Sequence, residues 1–169
     1  MNRFVSVLAV SMAAVLLPFG VQAAQESSAS VVIGANDQPI HDAARLGSGK
    51  DVEKILKSNP AARDARTQHD STPLHLAATN PDLSAMKALI AAGADVNARD
   101  SEGLTPLHMT AYTQGTKQAE LLLQAGADPY AKTNAGRDPT SLARKTRSDE
   151  VSGVISLWIL KGCKAGKPC

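Results

Sequence analysis

Aromatic residues are scarce in this chain: one Trp, two Tyr and two Phe among 169 residues. Phe4 and Phe19 lie in an N-terminal segment expected to be removed, which leaves Tyr112, Tyr130 and Trp158. So few rings supply no stacking platform for nucleobases or sugars. Charge is sparing too. The 18 Lys and Arg nearly balance 16 Asp and Glu, and a net charge of +2 is too weak a field to gather nucleic acid or an anionic membrane. Long apolar runs are also missing. Phe4 to Leu17, broken by Ser6 and Ser11, falls short of the roughly 20 residues a spanning helix needs, and Val154 to Leu160 is shorter still. What remains is an aliphatic chain rich in Ala and Leu, a composition suited to closely packed helices.

The N-terminus has the order of an export signal. Asn2 and Arg3 form a short positive region, the apolar run follows, Pro18 and Gly20 break it, and Val21-Gln22-Ala23 offers a cleavage site. Residues 1–23 are therefore expected to be a signal peptide, and no Cys follows where a lipoprotein would need one. Residues 24–36 are Ser-rich and expected to form a flexible leader. The compartment expected is the periplasm, with secretion as the alternative. Only two cysteines occur, Cys163 and Cys169, joined by a Gly- and Pro-containing loop. In an oxidising compartment a disulfide within the tail 161–169 is expected. A redox or metal-binding pair is the alternative, against which stand the non-CxxC spacing and the lack of a nearby His.

Self-similarity is the strongest signal. Thr72-Pro73-Leu74-His75-Leu76-Ala77-Ala78 is matched by Thr105-Pro106-Leu107-His108-Met109-Thr110-Ala111, 33 residues on, and more loosely by Asp138-Pro139-Thr140-Ser141-Leu142-Ala143. An earlier copy begins Gln38-Pro39-Ile40-His41. In a second phase Ala92-Gly93-Ala94-Asp95 matches Ala125-Gly126-Ala127-Asp128. Thr72 and Thr105 can cap helices, and Pro73 and Pro106 suit the first helical position. Second helices are predicted over Val52 to Lys57, Leu83 to Ala92, Lys117 to Gln124 and about Asp149 to Leu160, with Gly93 and Gly126 ending two of them. Asp100-Ser101-Glu102-Gly103 and Thr133-Asn134-Ala135-Gly136 are turn chemistry.

These residues resemble the ankyrin repeat, whose period is 33 and whose first helix opens on TPLHxA. The resemblance implies an all-α repeat solenoid: an ankyrin array over 37–160 of about four helix-turn-helix repeats (37–70, 71–103, 104–136 and 137–160) with protruding β-hairpin tips. The first copy departs at Gln38, carries an extra residue among Ser48, Gly49 and Lys50, and has Asp70 in the turn-glycine slot. The last copy loses Thr and His to Asp138 and Ser141. Both are expected to be caps with polar outer faces.

Catalytic motifs are absent. His41, His75 and His108 share one repeat phase and are expected to be structural, leaving His69 exposed. Gly47-Ser48-Gly49-Lys50 lacks the first Gly, the Ser or Thr and the preceding strand of a phosphate loop. No GxSxG elbow occurs and no Cys stands beside a His. Neither catalysis, a metal nor a cofactor is expected. What the resemblance implies instead is a protein partner, held by the tips and the exposed ends of the first helices. Carried onto this sequence, that surface comprises Arg66, Gln68, His69 and Ser71; Arg99, Ser101, Glu102 and Leu104; Lys132, Asn134 and Arg137; and Arg45, Thr79, Asn80, Tyr112 and Thr113. Arg66, Arg99, Lys132 and Arg137 fall in one row, which points to an acidic patch on the partner. The chain also resembles the small periplasmic ankyrin proteins of Gram-negative bacteria, some of which accompany antioxidant enzymes such as catalase. An immunity factor against an exported toxin and a secreted effector acting on a host protein are the alternatives. The chain is expected to be monomeric.

Overall fold

A computed structural model describes residues 37–167 of the chain. The expected signal peptide, the leader to Asn36 and Cys169 lie outside the described residues. Pro39, Pro73, Pro106 and Pro139 each start a helix, where a missing N–H costs nothing because the first turn has no acceptor for it. Eight α-helices result among the described residues: α1 (Pro39–Leu46), α2 (Gly49–Ser58), α3 (Pro73–Ala77), α4 (Leu83–Ala91), α5 (Pro106–Thr113), α6 (Thr116–Gln124), α7 (Pro139–Lys145) and α8 (Asp149–Leu160). They form four pairs, and each pair packs only on its neighbours, as an all-α repeat solenoid requires. A 3-10 turn, Pro60–Asp64, follows α2.

The core is aliphatic. Ile40, Leu74 and Leu107 are fully buried at one slot of the repeat, against Met86, Leu89, Leu122 and Ile155 from the second helices. Buried Ala77, Ala78, Ala111 and Ala143 keep the first helices thin enough for close stacking. Glycine does the same at Gly49. A Cβ there would sit 2.6 Å from the Ser84 carbonyl oxygen, so α2 can lie against α4 only without a side chain. The amide of Gly49 donates to Ser84 Oγ at 2.8 Å across the same contact. The Gly-Ser-Gly-Lys run is thus a packing device. Gly93 and Gly126 end α4 and α6 through paired bonds: the Gly93 amide to Ile90 O with Ala94 to Leu89 O, and Gly126 to Leu123 O with Ala127 to Leu122 O.

Three histidines hold the array together. In α3 the His75 Nδ1 accepts from the Thr72 amide at 3.1 Å, and in α5 the His108 Nδ1 accepts from the Thr105 amide at 3.1 Å. A backbone N–H can only donate, so the ring proton must sit on Nε2. From there His75 donates to Leu104 O at 3.0 Å and His108 to Arg137 O at 3.1 Å, each carbonyl lying 29 residues on. His41 repeats the pattern from Gln38 to the Ala65 carbonyl. Each imidazole therefore closes its own helix start as a capping box and ties it to the segment leading into the next repeat.

Burial pushes the His75 and His108 imidazoles below the ordinary value of 6.5, the bonds to Leu104 and Arg137 pulling weakly the other way. As pH falls, the unfolded chain therefore takes up protons first. The stability from these two rings is fully present above about pH 6.5 and is lost as pH drops from there through the lowered folded values. The thermal midpoint is expected to fall between pH 7.5 and pH 5.5, and His75→Gln should flatten that slope. A wild-type midpoint constant across the window would contradict the neutral, proton-donating rings.

Two expectations are met only in part. No strand occurs among the described residues, and the tips stand as tight turns. Each is closed by two backbone bonds, as in Asp100 N–H to Leu104 O and Gly103 N–H to Asp100 O. The outer end of the last repeat is mixed. Its α7 side is polar: Thr140, Ser141 and Arg144 stand where the repeat before has Leu107, His108 and Ala111, Ser141 and Arg144 are exposed, and the Thr140 hydroxyl is buried without a partner. Residues 153–160 of α8 carry no charge, and Leu160 and Tyr130 stand 82% and 64% exposed.

Candidate protein interface

Three tips line one side of the array: residues 67–71, 100–104 and 133–137. They are joined edge to edge by backbone bonds, Ser101 N–H to His69 O at 3.0 Å and Asn134 N–H to Glu102 O at 2.9 Å. Side chains reinforce the row. Arg66 Nη1 donates to Asp70 O and, 33 residues on, to Arg99 O at 2.7 Å. Arg99 Nη1 donates to Lys132 O, again 33 residues on and again at 2.7 Å. These two arginines were expected to face a partner, yet their guanidiniums are engaged in stitching tip to tip. The cationic row is real in position but not uniform in availability.

The ends of the first helices are stitched at a matching register. Asn80 Nδ2 donates to the Ala44 carbonyl, Thr113 Oγ1 to Ala78 and Thr146 Oγ1 to Ala111. Gln118 Nε2 donates in turn to Asn80 O at 2.9 Å. Asn80 is therefore buried and cannot offer its amide to a partner, contrary to the sequence expectation. Arg45 is paired with Asp37 at 2.7 Å, and Thr79 bonds back to Leu76 O. Leu104 is the clearest correction. It is only 9% exposed, because the residue after the turn glycine points inward and packs into the core.

The remaining expected residues stay at the surface. Arg66, Gln68, His69, Arg99, Ser101, Glu102, Tyr112, Thr113, Lys132, Asn134 and Arg137 are exposed, with Tyr112 53% exposed at the end of α5. Six of the named residues meet in one cleft of about 290 Å³: Ser101, Glu102, Leu104, Tyr112, Asn134 and Arg137, with Thr133, Ala135 and Leu142 completing the walls. Leu104, Leu142 and Tyr112 supply its apolar walls, and Ser101, Glu102, Asn134 and Arg137 its polar ones. That is the anatomy of a protein contact: an aromatic anchor beside an arginine, surrounded by polar groups. Gln68, His69 and Lys132 lie along the tips outside this cleft.

Among the described residues no group of three or more His, Cys, Asp or Glu side chains converges on a point where a metal could sit. No described helix is long and apolar enough to cross a membrane. Sequence reasoning missed the stitching role of Arg66 and Arg99. Their 33-residue spacing was the available signal, since identical residues one repeat apart stand next to each other in a solenoid.

The comparisons with known proteins agree with this geometry. A family model described as Ankyrin repeats (3 copies) matches residues 12–133, more than half of the chain. The chain belongs to the ankyrin-repeat family. It is similar to Alpha-latrocrustotoxin-Lt1a of Latrodectus tredecimguttatus, at 39% identity over 62 residues, which is 37% of this chain and 4% of that protein. It is also similar to an ankyrin repeat protein of Fowlpox virus (strain NVSL), at 36% identity over 61 residues, covering 36% of this chain and 15% of that protein. The chain thus spans a small fraction of the length of these relatives, and the likeness is one of repeats. Ankyrin repeats are protein-binding modules, and that much holds for this chain.

Proposed function

We propose that this chain is an exported accessory or scaffold protein that holds another protein on its tip-lined face and catalyses nothing itself. The single observation that carries the binding reading is the cleft of about 290 Å³, which the half-exposed Tyr112 lines together with Arg137, Leu104 and Leu142. A Tyr ring and an arginine lining one cleft are the side chains most often found as anchors of protein contacts. Export rests on the charged, apolar, then small-residue order of residues 2–23, and the periplasm is the compartment proposed. An antioxidant enzyme such as catalase is the leading partner, by resemblance to small periplasmic ankyrin proteins; an exported toxin or a host protein would use the same surface.

Affinity capture from periplasmic extract with the mature chain, followed by mass spectrometry, tests this reading. A defined partner should be retained, and Tyr112→Ala should weaken its capture about tenfold or more while leaving the melting temperature within about 2 °C, as befits an exposed anchor residue. Unchanged capture by Tyr112→Ala would remove the cleft from the account.

The tail is proposed to be closed by a Cys163–Cys169 bridge. It folds back on the third repeat, where the Gly166 amide donates to Gln124 O at 3.0 Å, which would hold such a loop in place. Alkylation of the exported protein with iodoacetamide should add no mass until a reductant is supplied. Two adducts without reduction would refute the bridge.

A further inference from the structure

The tip arginines divide into two kinds, and the division has a structural cause. Arg66 and Arg99 donate to carbonyls of the following tip, 33 residues on. Lys132 occupies the same slot in the third tip, and no further tip accepts from it among the described residues. Arg137 stands one repeat after Leu104, so the third tip carries an exposed guanidinium at the slot where the second carries a buried Leu. Among the described residues neither the Lys132 ammonium nor the Arg137 guanidinium has a hydrogen bond or ion pair. Of these two cations only Arg137 lines the cleft with Tyr112.

Arg137 is also held in place without its side chain being used. Its carbonyl accepts from His108 Nε2 at 3.1 Å and from the Thr133 amide at 2.9 Å, and its amide donates to Thr133 Oγ1 at 3.2 Å. The cation therefore springs from a fixed point, which lowers the ordering cost of binding. Across the cleft Glu102 carries the opposite charge, so an anionic group is repelled from the second tip and drawn to the third. Backbone groups at the tips are already paired: Ser101 O accepts from Asn134 Nδ2, and Glu102 O accepts from the Asn134 amide. A ligand must then be read by side chains and not by strand addition. At about 290 Å³ the cleft is at the lower limit of small-molecule sites, which run from about 300 Å³, and suits a protruding side chain.

The geometry points to one recognition element: an extended protein segment whose apolar side chain seats on Tyr112, Leu104 and Leu142 and whose nearby carboxylate, Asp or Glu, pairs with Arg137. This rests on the protein-binding reading above and narrows it from a row of basic tips to a single guanidinium. A charge-assisted pair beside an apolar seat is shielded from water and contributes far more than the same pair on an open surface.

The probe is a random library of short displayed peptides selected on the full mature chain, followed by synthetic copies of the winners with Glu or Asp changed to Gln or Asn. Enriched sequences should carry an apolar residue with an acidic residue one to three positions away. Neutralising that acidic residue, or making Arg137→Gln in the protein, should each weaken binding about tenfold, and the two together little more than either alone. Lys132→Gln, which removes a cation outside the cleft, should leave the acidic preference intact. Peptides enriched without acidic residues, an acidic preference that survives Arg137→Gln, or no enrichment on the wild type would overturn the inference. Binding lost in Tyr112→Ala without any acidic preference would leave the binding face standing and this inference fallen. Peptides indifferent to both changes would remove both.

Discussion

His108→Ala is expected to destabilise the chain by about 3–4 kcal/mol and to break the cooperativity of its unfolding. The ring is fully buried. Its loss orphans the buried Thr105 amide and leaves the Arg137 carbonyl with only the Thr133 amide as donor. The orphaned amide costs about 1–3 kcal/mol, and the vacated volume adds a cavity. The damage falls on the boundary between the third and fourth repeats, so the last pair, α7 and α8, should fray first. Trp158, the one Trp of the sequence, lies on α8 and reports on that pair. In denaturant its fluorescence transition should precede the loss of helical circular dichroism in His108→Ala, whereas the two should coincide in the wild type. His69→Ala, at an exposed tip, should cost less than about 0.5 kcal/mol. Equal effects of the two substitutions would show that the shared phase of His41, His75 and His108 has no structural meaning.

Gly103→Ala is expected to cost about 2–3 kcal/mol, and the matching change Gly136→Ala about 1 kcal/mol. Both glycines hold the left-handed turn conformation, at φ +74° and +73°. Both substitutions thus carry the same backbone cost, roughly 1–2 kcal/mol for an L residue in that region. They differ in what a Cβ would meet. At Gly103 it would lie 2.4 Å from Arg99 Nη2, 2.5 Å from Asn134 Oδ1 and 2.9 Å from the Asn134 amide nitrogen; at Gly136 nothing comes within 4 Å. The arginine tip can swing away, but the Asn134 amide is fixed by its bond to Glu102 O. The second and third tips should therefore separate in Gly103→Ala. Chemical denaturation of the two variants measures the difference. Identical losses would mean that the tips are not docked as described.

Much of this architecture could be read from the residues. A proline and a histidine recurring every 33 or 34 positions fixed the starts of the first helices, and Gly93 and Gly126 the ends of two second helices. Those features are local: capping and termination are decided within a turn of chain. What escaped was non-local. Arg66 and Arg99 look like solvated charges in a linear reading, because their acceptors lie a full repeat away in sequence. Leu104 looks like a tip residue until the tip turns it inward. Asn80 looks like a polar helix end, while stacking buries it against Ala44 O and Gly47 O. The apolar end of α8 is legible in Val154-Ile155-Ser156-Leu157-Trp158-Ile159-Leu160, as is the polar α7 side in Thr140, Ser141 and Arg144. In the interface the ring of Tyr112 and the charge of Arg137 were legible as types; their convergence on one cleft depended on how two tips and two helices stack.

The central claim, that a protein is held on the tip-lined face, is tested most directly by photo-crosslinking in the living cell. A photoreactive phenylalanine analogue would be placed at Ser101 or Thr113 on that face, and at Lys87 or Lys117 on the exposed side of the second helices. Irradiation should yield one discrete high-mass adduct from Ser101 and Thr113 and none from Lys87 or Lys117. Adducts confined to Lys87 and Lys117, or absent from all four positions, would contradict the account.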